Sequence, residues 1–532
     1  MIVSITSRLE NLFTRGATEV ADAQVTEAPE ARLRLRRTVV LGLISTLMMT
    51  GGALYGGSSF ETHLPGAWFF GMPGGPIGSI GASSKSPPAL AIFLVYGGLI
   101  LFTRVWIGLL RYLRHHHGVP IKKIIIVVAI WAIPLLLAPP LFSRDVYSYA
   151  GQGEMTSHHI NPYDYGTGVL GSTPFSSMPD SVWTNTPSPY GPTFLSIDGV
   201  LTTASGHKIL PDIMLLRLLE VAGLALVVAA TPTLARSLGR DPAEAILLGA
   251  GSPLVLTSLI GGAHNDALMV GLLLAGLAIA QRVGTVPGIM VCALAAGVKA
   301  PAALGVLFLG WVWAGPGASF LRRVVTTLGA LAIGACTFIG ITQLAGLGWG
   351  WIGNSTAADQ SFTFVTPIGA VARVVSALAH VVNINVTAIG VRNVLAVFGL
   401  LVAAAIGTWL LLRAPKDGVT RNLGLTLMVL AILSPILWAW YVTWGVLVLA
   451  PVATARLRTA IIAIATIETF VGLASVRGIV VAFGPNGPLA DVVLIAALVA
   501  IAIVPLSQMR KRRHDHEAMP TGTPAALVTS SA

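Results

Sequence analysis

RLRLRRTVVLGLISTLMMTGGALYGG, residues 32–57, sets four arginines (Arg32, Arg34, Arg36 and Arg37) directly before an uncharged apolar run. About 20 apolar residues in helical conformation match the thickness of a bilayer's hydrocarbon core. The basic flank marks the end that stays in the cytoplasm. The run is too long for the core of a signal peptide, and residues 1–37 before it read as a polar cytoplasmic tail.

Working outward, the same alternation recurs along the chain. A second run, 88–110, ends in Arg111, Arg114, His115, His116, His117, Lys122 and Lys123, which makes a second cytoplasmic turn. The Gly/Ser/Pro-rich segment 58–87 is then outside, and a third span near 124–142 leads outward to Arg144 and Asp145. Further spans are expected near 211–236, 243–262, 265–282, 285–299, 301–316, 324–345, 391–412, 420–438, 441–455, 459–476 and 488–508. The total is about 14, with both termini inside, because basic residues recur on alternate turns. Two long outer segments remain: 143–210, expected to carry short juxtamembrane helices, and 346–390.

Composition agrees. The 532 residues are 54% hydrophobic and only 10% charged, against roughly 25% charged in soluble domains. Lipid-facing helices need no polar cover, so the reading is an all-α polytopic membrane protein of the plasma membrane. The net charge of +11 lies in short clusters between spans, which orients helices and implies no nucleic-acid partner. Cys292 and Cys336 lie in apolar runs and form no metal motif. His115–His117 resembles a metal tract, but its basic neighbours argue against that use.

Polar residues are then informative by where they stand. Arg144-Asp145 sits where the third span exits, and His264-Asn265-Asp266 at an outer turn. Lys299, Arg477, Arg217 and Arg392 hold positive charge at outer ends, where the orientation rule disfavours it. Together they suggest a bound anion, although each alone could snorkel or pair. Asp145 is placed to act as general base toward a sugar hydroxyl; the plainer reading is an N-cap of the helix 146–156. Tyr147 and Tyr149 back it. Asn161-Pro162-Tyr163 and Ser188-Pro189-Tyr190-Gly191-Pro192 are rigid turns bearing aromatic rings, and Trp438, Trp440, Tyr441 and Trp444 bunch after Pro435. Such rings suit the apolar faces of sugars, whereas Trp106, Trp131 and Trp311 read as an interfacial aromatic belt.

These motifs, with Gly262-Ala263-His264-Asn265-Asp266-Ala267 and Val298-Lys299-Ala300-Pro301, occur in an order that resembles the polyprenol-phosphate-mannose-dependent α-1,6-mannopyranosyltransferases of actinobacteria. The likeness spans most of 38–508 and looks closest to the member acting on the proximal part of the lipomannan core. It implies a GT-C glycosyltransferase fold, with 38–508 as the catalytic domain, 509–532 as a cytoplasmic tail and the active site on the periplasmic face. It also implies a decaprenyl-phosphate-mannose donor and a phosphatidylinositol mannoside or lipomannan acceptor, with membrane lipids around both. By the same resemblance Asp145 is the catalytic base. Arg144, His264, Lys299 and Arg477 are candidates for the donor phosphate. Tyr147, Tyr149, Asn161, Tyr163, Tyr190, Asn265, Asp266, Trp438 and Tyr441 are candidates for the sugars. The acid stands alone here and not as an Asp-Glu pair, which speaks against a two-carboxylate or metal-bridged scheme; no cofactor is expected. The rival readings are a lipid-linked sugar flippase, or the same chemistry with another polyprenyl-phosphate sugar such as arabinose.

Overall fold

A computed structural model of the chain describes residues 29–55, 89–116, 118–354, 367–381 and 383–471. The segment 58–87, residues 355–366 of the second expected loop, Arg477, the expected span at 488–508 and most of both tails lie outside the described residues.

Among the described residues every regular element is helical. Helix α1 (Pro29–Tyr55) packs along α2 (Ala89–His115) and touches α3 (Ile121–Leu137). The Thr50 hydroxyl donates to the Pro134 carbonyl at 2.9 Å, supplying a second donor to a carbonyl near the end of α3. The chain then leaves the apolar layer. Helix α4 (Asp145–Ser157) packs on α5 (Pro192–Ala204), with helical turns at Thr167–Leu170, Pro174–Ser177 and Ser181–Thr184 between them. The short helices expected in 143–210 are therefore present.

The long α6 (Ile209–Arg236) runs against α7 (Asp266–Arg282). Their closest approach is at Gly223, where a Cβ would collide with the backbone at Ala267 and Leu268. Glycine is required there because the two backbones touch. Helices α8 (Thr285–Ala296), α9 (Ala303–Trp313), α10 (Phe320–Ala345), α11 (Pro367–Val381), α12 (Ala388–Asp417), α13 (Val419–Leu433), α14 (Ala439–Leu449) and α15 (Ala455–Val471) complete the described chain. Along α10 and α12, Leu321, Val325, Leu328, Val394, Val397, Phe398 and Leu401 are exposed. An apolar surface of this extent has lipid as its natural solvent.

By length and apolarity, five described helices can cross a membrane: Leu35–Tyr55, Phe93–His115, Ile209–Arg236, Phe320–Ala345 and Ala388–Asp417. The span expected at 243–262 is not one straight helix. It is a pair, Pro242–Leu248 and Pro253–Gly261, bent by 52°. Pro253 can open a helix but cannot continue one, and Gly249 and Gly251 leave the break unsupported. The second piece relaxes into a π-helical turn, Leu256–Gly261, a form often found at functional sites. The stretches expected at 285–316 and 420–455 form shorter apolar helices of 10–17 residues.

Candidate active site

Two loops converge at one end of the bundle, and each turns through a left-handed residue that is not glycine. Phe142 has φ 66° just before Arg144-Asp145, and Ala263 has φ 55° just before His264. Such backbone costs on the order of 1–2 kcal/mol per residue and persists only where the surroundings impose it. Next to both turns lies Arg217. Its guanidinium donates to the carbonyls of Ala138, Leu135 (2.6 Å), Ile260 (3.0 Å) and Gly261 (3.3 Å). The Leu141 N–H also donates to Gly261 O at 2.9 Å. One buried cation thus ties the end of α3 to the end of the π-helical turn. Arg217 is not a free anion site, as its outer-end position suggested, because the low-dielectric layer is full of helix-end carbonyls that need donors.

Asp145 opens α4 as its first helical residue. The N-cap position falls on Arg144, and the Asp145 N–H donates to Ser143 Oγ at 3.1 Å. The N-cap reading is thus corrected: the adjacent serine meets the Asp145 N–H. The Asp145 carboxylate stands 3.6 Å from His264 Nε2, and its side chain is 14% exposed. Burial pushes the carboxyl up to about 6; Lys299 opposes that shift, while Asp266 and Asp180 add to it.

His264 is fully enclosed. Its Nδ1 lies 2.6 Å from the Ser258 carbonyl, and a carbonyl can only accept, so the hydrogen belongs on Nδ1. Burial holds the ring's pKa down at about 4, which keeps it neutral. Nε2 is then a bare lone pair facing a carboxylate oxygen. Two acceptors aimed at each other at 3.6 Å leave room for a proton-bearing group to serve both. With its one N–H engaged by the Ser258 carbonyl, the ring in this form has no further N–H to offer an anion.

The segment carrying Lys299 is fixed to the Ser188–Pro192 turn by backbone contacts. Gly191 N–H donates to Val298 O at 3.3 Å and Thr193 N–H to Gly297 O at 2.9 Å. A Cβ at Gly191 would strike the Gly297 backbone. This seam sets Lys299 Nζ over the rings of Tyr190 (5.7 Å), Tyr441 (5.0 Å) and Trp444 (5.9 Å), within cation–π reach. Lys299 also donates to both oxygens of Asp266, at 3.0 and 2.9 Å, and Trp444 Nε1 donates to Asp266 Oδ1. A second set of rings continues from His264: Trp440 stacks on it at 3.7 Å, and Trp438 stacks on Trp440 at 4.8 Å.

Tyr149 lies one helical turn from Asp145 and meets Tyr190 edge-on at 5.2 Å. Tyr147, two residues from Asp145, faces Arg144 and Arg217 instead, as a helix requires of odd neighbours. Arg144 is buried with Asp180 as its charged neighbour. Asn265 is fully buried, and neither side-chain amide atom has a hydrogen-bond partner among the described residues. Asn161 is engaged within its own turn, donating to Asp164 at 2.9 Å and accepting from Tyr163 N–H at 3.1 Å. The Tyr163 carbonyl accepts from Asn354. These two residues brace the loop.

The sequence reading missed Ser143, Asp180, Ser258 and Glu220, whose carboxylate accepts the Leu268 N–H at 3.2 Å. Only Glu220 left a signal, an acid inside an apolar helix.

The family model described as alpha-(1->6)-mannopyranosyltransferase, N-terminal domain, matches residues 39–315, and that of the MptB C-terminal domain matches 365–508. The chain belongs to the α-(1→6)-mannopyranosyltransferase family. Alpha-(1->6)-mannopyranosyltransferase A of Mycobacterium tuberculosis is 33% identical over 75% of this chain and 76% of its own. A probable alpha-(1->6)-mannopyranosyltransferase of Mycolicibacterium smegmatis is 28% identical, covering 79% and 80%. Alpha-(1->6)-mannopyranosyltransferase B of Corynebacterium glutamicum is 26% identical, covering 82% and 76%. No solved structure matches. The chain is therefore a multi-pass membrane protein of a mannosyltransferase family, and the first model covers every residue of the converging loops except those contributed by α14.

Proposed function

We propose that this mannosyltransferase is an inverting enzyme of GT-C architecture that uses decaprenyl-phosphate-mannose at the periplasmic face, with both termini in the cytoplasm. The observation that carries the reading is the pair of acceptors, Asp145 Oδ2 and His264 Nε2, 3.6 Å apart beside a cation held in an aromatic box. The 6-hydroxyl of a mannan or phosphatidylinositol mannoside acceptor donates its hydrogen to Asp145, the more exposed of the two. Its oxygen attacks the anomeric carbon of the donor as Asp145 takes its proton. The bond from that carbon to the phosphate oxygen breaks, and decaprenyl phosphate leaves with the electron pair. A β-linked donor so displaced once gives an α-(1→6) linkage.

The leaving phosphate needs charge stabilisation more than protonation. Lys299 supplies it, with Arg144 behind Asp145. Trp438, at the end of the stack, with Tyr441 and Tyr190, offers ring surface to the sugars, and the Asn265 amide offers hydrogen bonds to their hydroxyls. The polyprenyl chain stays among the lipid-facing helices. The acceptor we propose is the proximal part of the lipomannan core.

The test is a transfer assay on the purified full chain in nanodiscs, with radiolabelled decaprenyl-phosphate-mannose and a short α-(1→6)-mannoside. A mannosylated product with a new α-(1→6) bond is expected; transfer from decaprenyl-phosphate-arabinose instead would overturn the donor assignment. In the same assay Lys299→Ala is expected to raise the donor KM by about 10–100-fold, the loss of a charge-assisted contact of about 1.5–3 kcal/mol. An unchanged donor KM would reassign Lys299 to holding Asp266.

A further inference from the structure

A second set of titratable groups stands well away from the site just described. Glu154 lies nine residues beyond Asp145 on α4, about 13 Å along the helix axis. Its carboxylate meets two imidazoles: His158 Nε2 at 3.1 Å from Oε1 and His207 Nδ1 at 2.8 Å from Oε2. The two rings lie face to face at 5.0 Å. One ligand atom from each of Glu154, His158 and His207 falls within 4.8 Å of the other two. Tetrahedral ligands about 2.1 Å from a zinc ion stand about 3.4 Å apart, so small rotations of exposed side chains close the set.

Two more carboxyl groups, Asp198 and Asp212, are buried beside the cluster. Asp212 is fully buried behind the cluster, near enough that Glu154 and His207 act on its charge. Thr202 donates to its Oδ2 at 3.0 Å, while its Oδ1 and both oxygens of the buried Asp198 have no hydrogen-bond partner among the described residues. Among the described residues no Lys or Arg forms an ion pair with any of these three carboxylates. His207 also holds a left-handed backbone, φ 58°, directly after the left-handed Gly206. A residue without that role would favour glycine there. Two imidazoles and one carboxylate select zinc-class ions over Mg²⁺ or Ca²⁺, which take oxygen ligands.

We propose that Glu154, His158 and His207 bind one zinc-class divalent ion, with water completing the coordination, and that this ion pins the far end of α4 to the turn after α5. The helix so fixed is the one whose first residue is Asp145. The site is independent of the transfer reaction and is read by metal binding itself.

The full chain, purified without a polyhistidine tag, would be titrated with Zn²⁺ in nanodiscs by calorimetry, with bound metal measured by mass spectrometry. One equivalent is expected, together with a rise in melting temperature. His158→Asn/His207→Asn should weaken binding by at least about 100-fold, since direct ligands count for more than the 10–100-fold typical of outer-shell partners. Glu154→Gln should weaken it as well, and keeps the test open if the double variant folds poorly. His115→Asn/His116→Asn/His117→Asn, at the other candidate tract, should change nothing. Full binding by the double variant, loss of binding in the triple variant, or equal uptake of Ca²⁺ and Zn²⁺ would each overturn the assignment.

Discussion

Asp145→Asn is expected to lower mannosyl transfer by about 10²–10⁴-fold, the usual contribution of a positioned general base, with helical content and melting temperature unchanged. The fold should tolerate it because burial already disfavours the charged carboxylate at this position. A neutral isostere relieves that cost, and the Asp145 N–H still reaches Ser143. The wild-type pH profile supplies an independent readout. A base must be ionised to accept a proton, and this carboxyl is pushed up to about 6. Activity should therefore sit on a plateau above that pH and fall as pH drops through it. His264, held down at about 4, stays neutral across the same window and adds no second limb there. Retained transfer in Asp145→Asn, or a wild-type acid limb centred near 4, would remove Asp145 from the role of base.

Arg217→Met is expected to destabilise the protein by about 3 kcal/mol or more, because at least two charge-assisted bonds of about 1.5–3 kcal/mol each are lost. The side-chain volume is largely kept, so the effect reads the hydrogen bonds and not a cavity. Four carbonyls lose the guanidinium, from Leu135 and Ala138 on one side and Ile260 and Gly261 on the other. Gly261 keeps a second donor, the Leu141 N–H. Arg217→Lys should fall between the two, since a point ammonium cannot fork across two helix ends. The measurement is thermal unfolding in detergent alongside hydrogen exchange at residues 138–145 and 260–266, both of which should loosen. A normal melting temperature with weakened donor binding would return Arg217 to the anion site.

Hydropathy and charge are properties of each segment by itself, and they carried the segment-level reading. The helical membrane class, the short helices in 143–210 and the motifs placing the chain among α-(1→6)-mannopyranosyltransferases were all legible in the residues. So was the prominence of Asp145, His264, Lys299 and the aromatic run after Pro435. What the sequence could not carry was partnership across distance. Arg144, Arg217 and Lys299 look alike as basic residues at span ends. One faces Asp180, one staples four carbonyls, and one sits in an aromatic box on Asp266. Those fates depend on which helix ends meet, and Asp145 and His264, 119 positions apart in the chain, meet only because Arg217 and the bent 242–261 pair bring their loops together. His264 gives the plainest case. Its residue type allows a cation, an acid or a base, and the neutral form is decided by burial and by a single carbonyl at Ser258. The sequence by itself determined which groups are costly to keep in a membrane; the tertiary structure decided which of them offset that cost by pairing, because desolvation and hydrogen bonding act only between groups that packing has made neighbours.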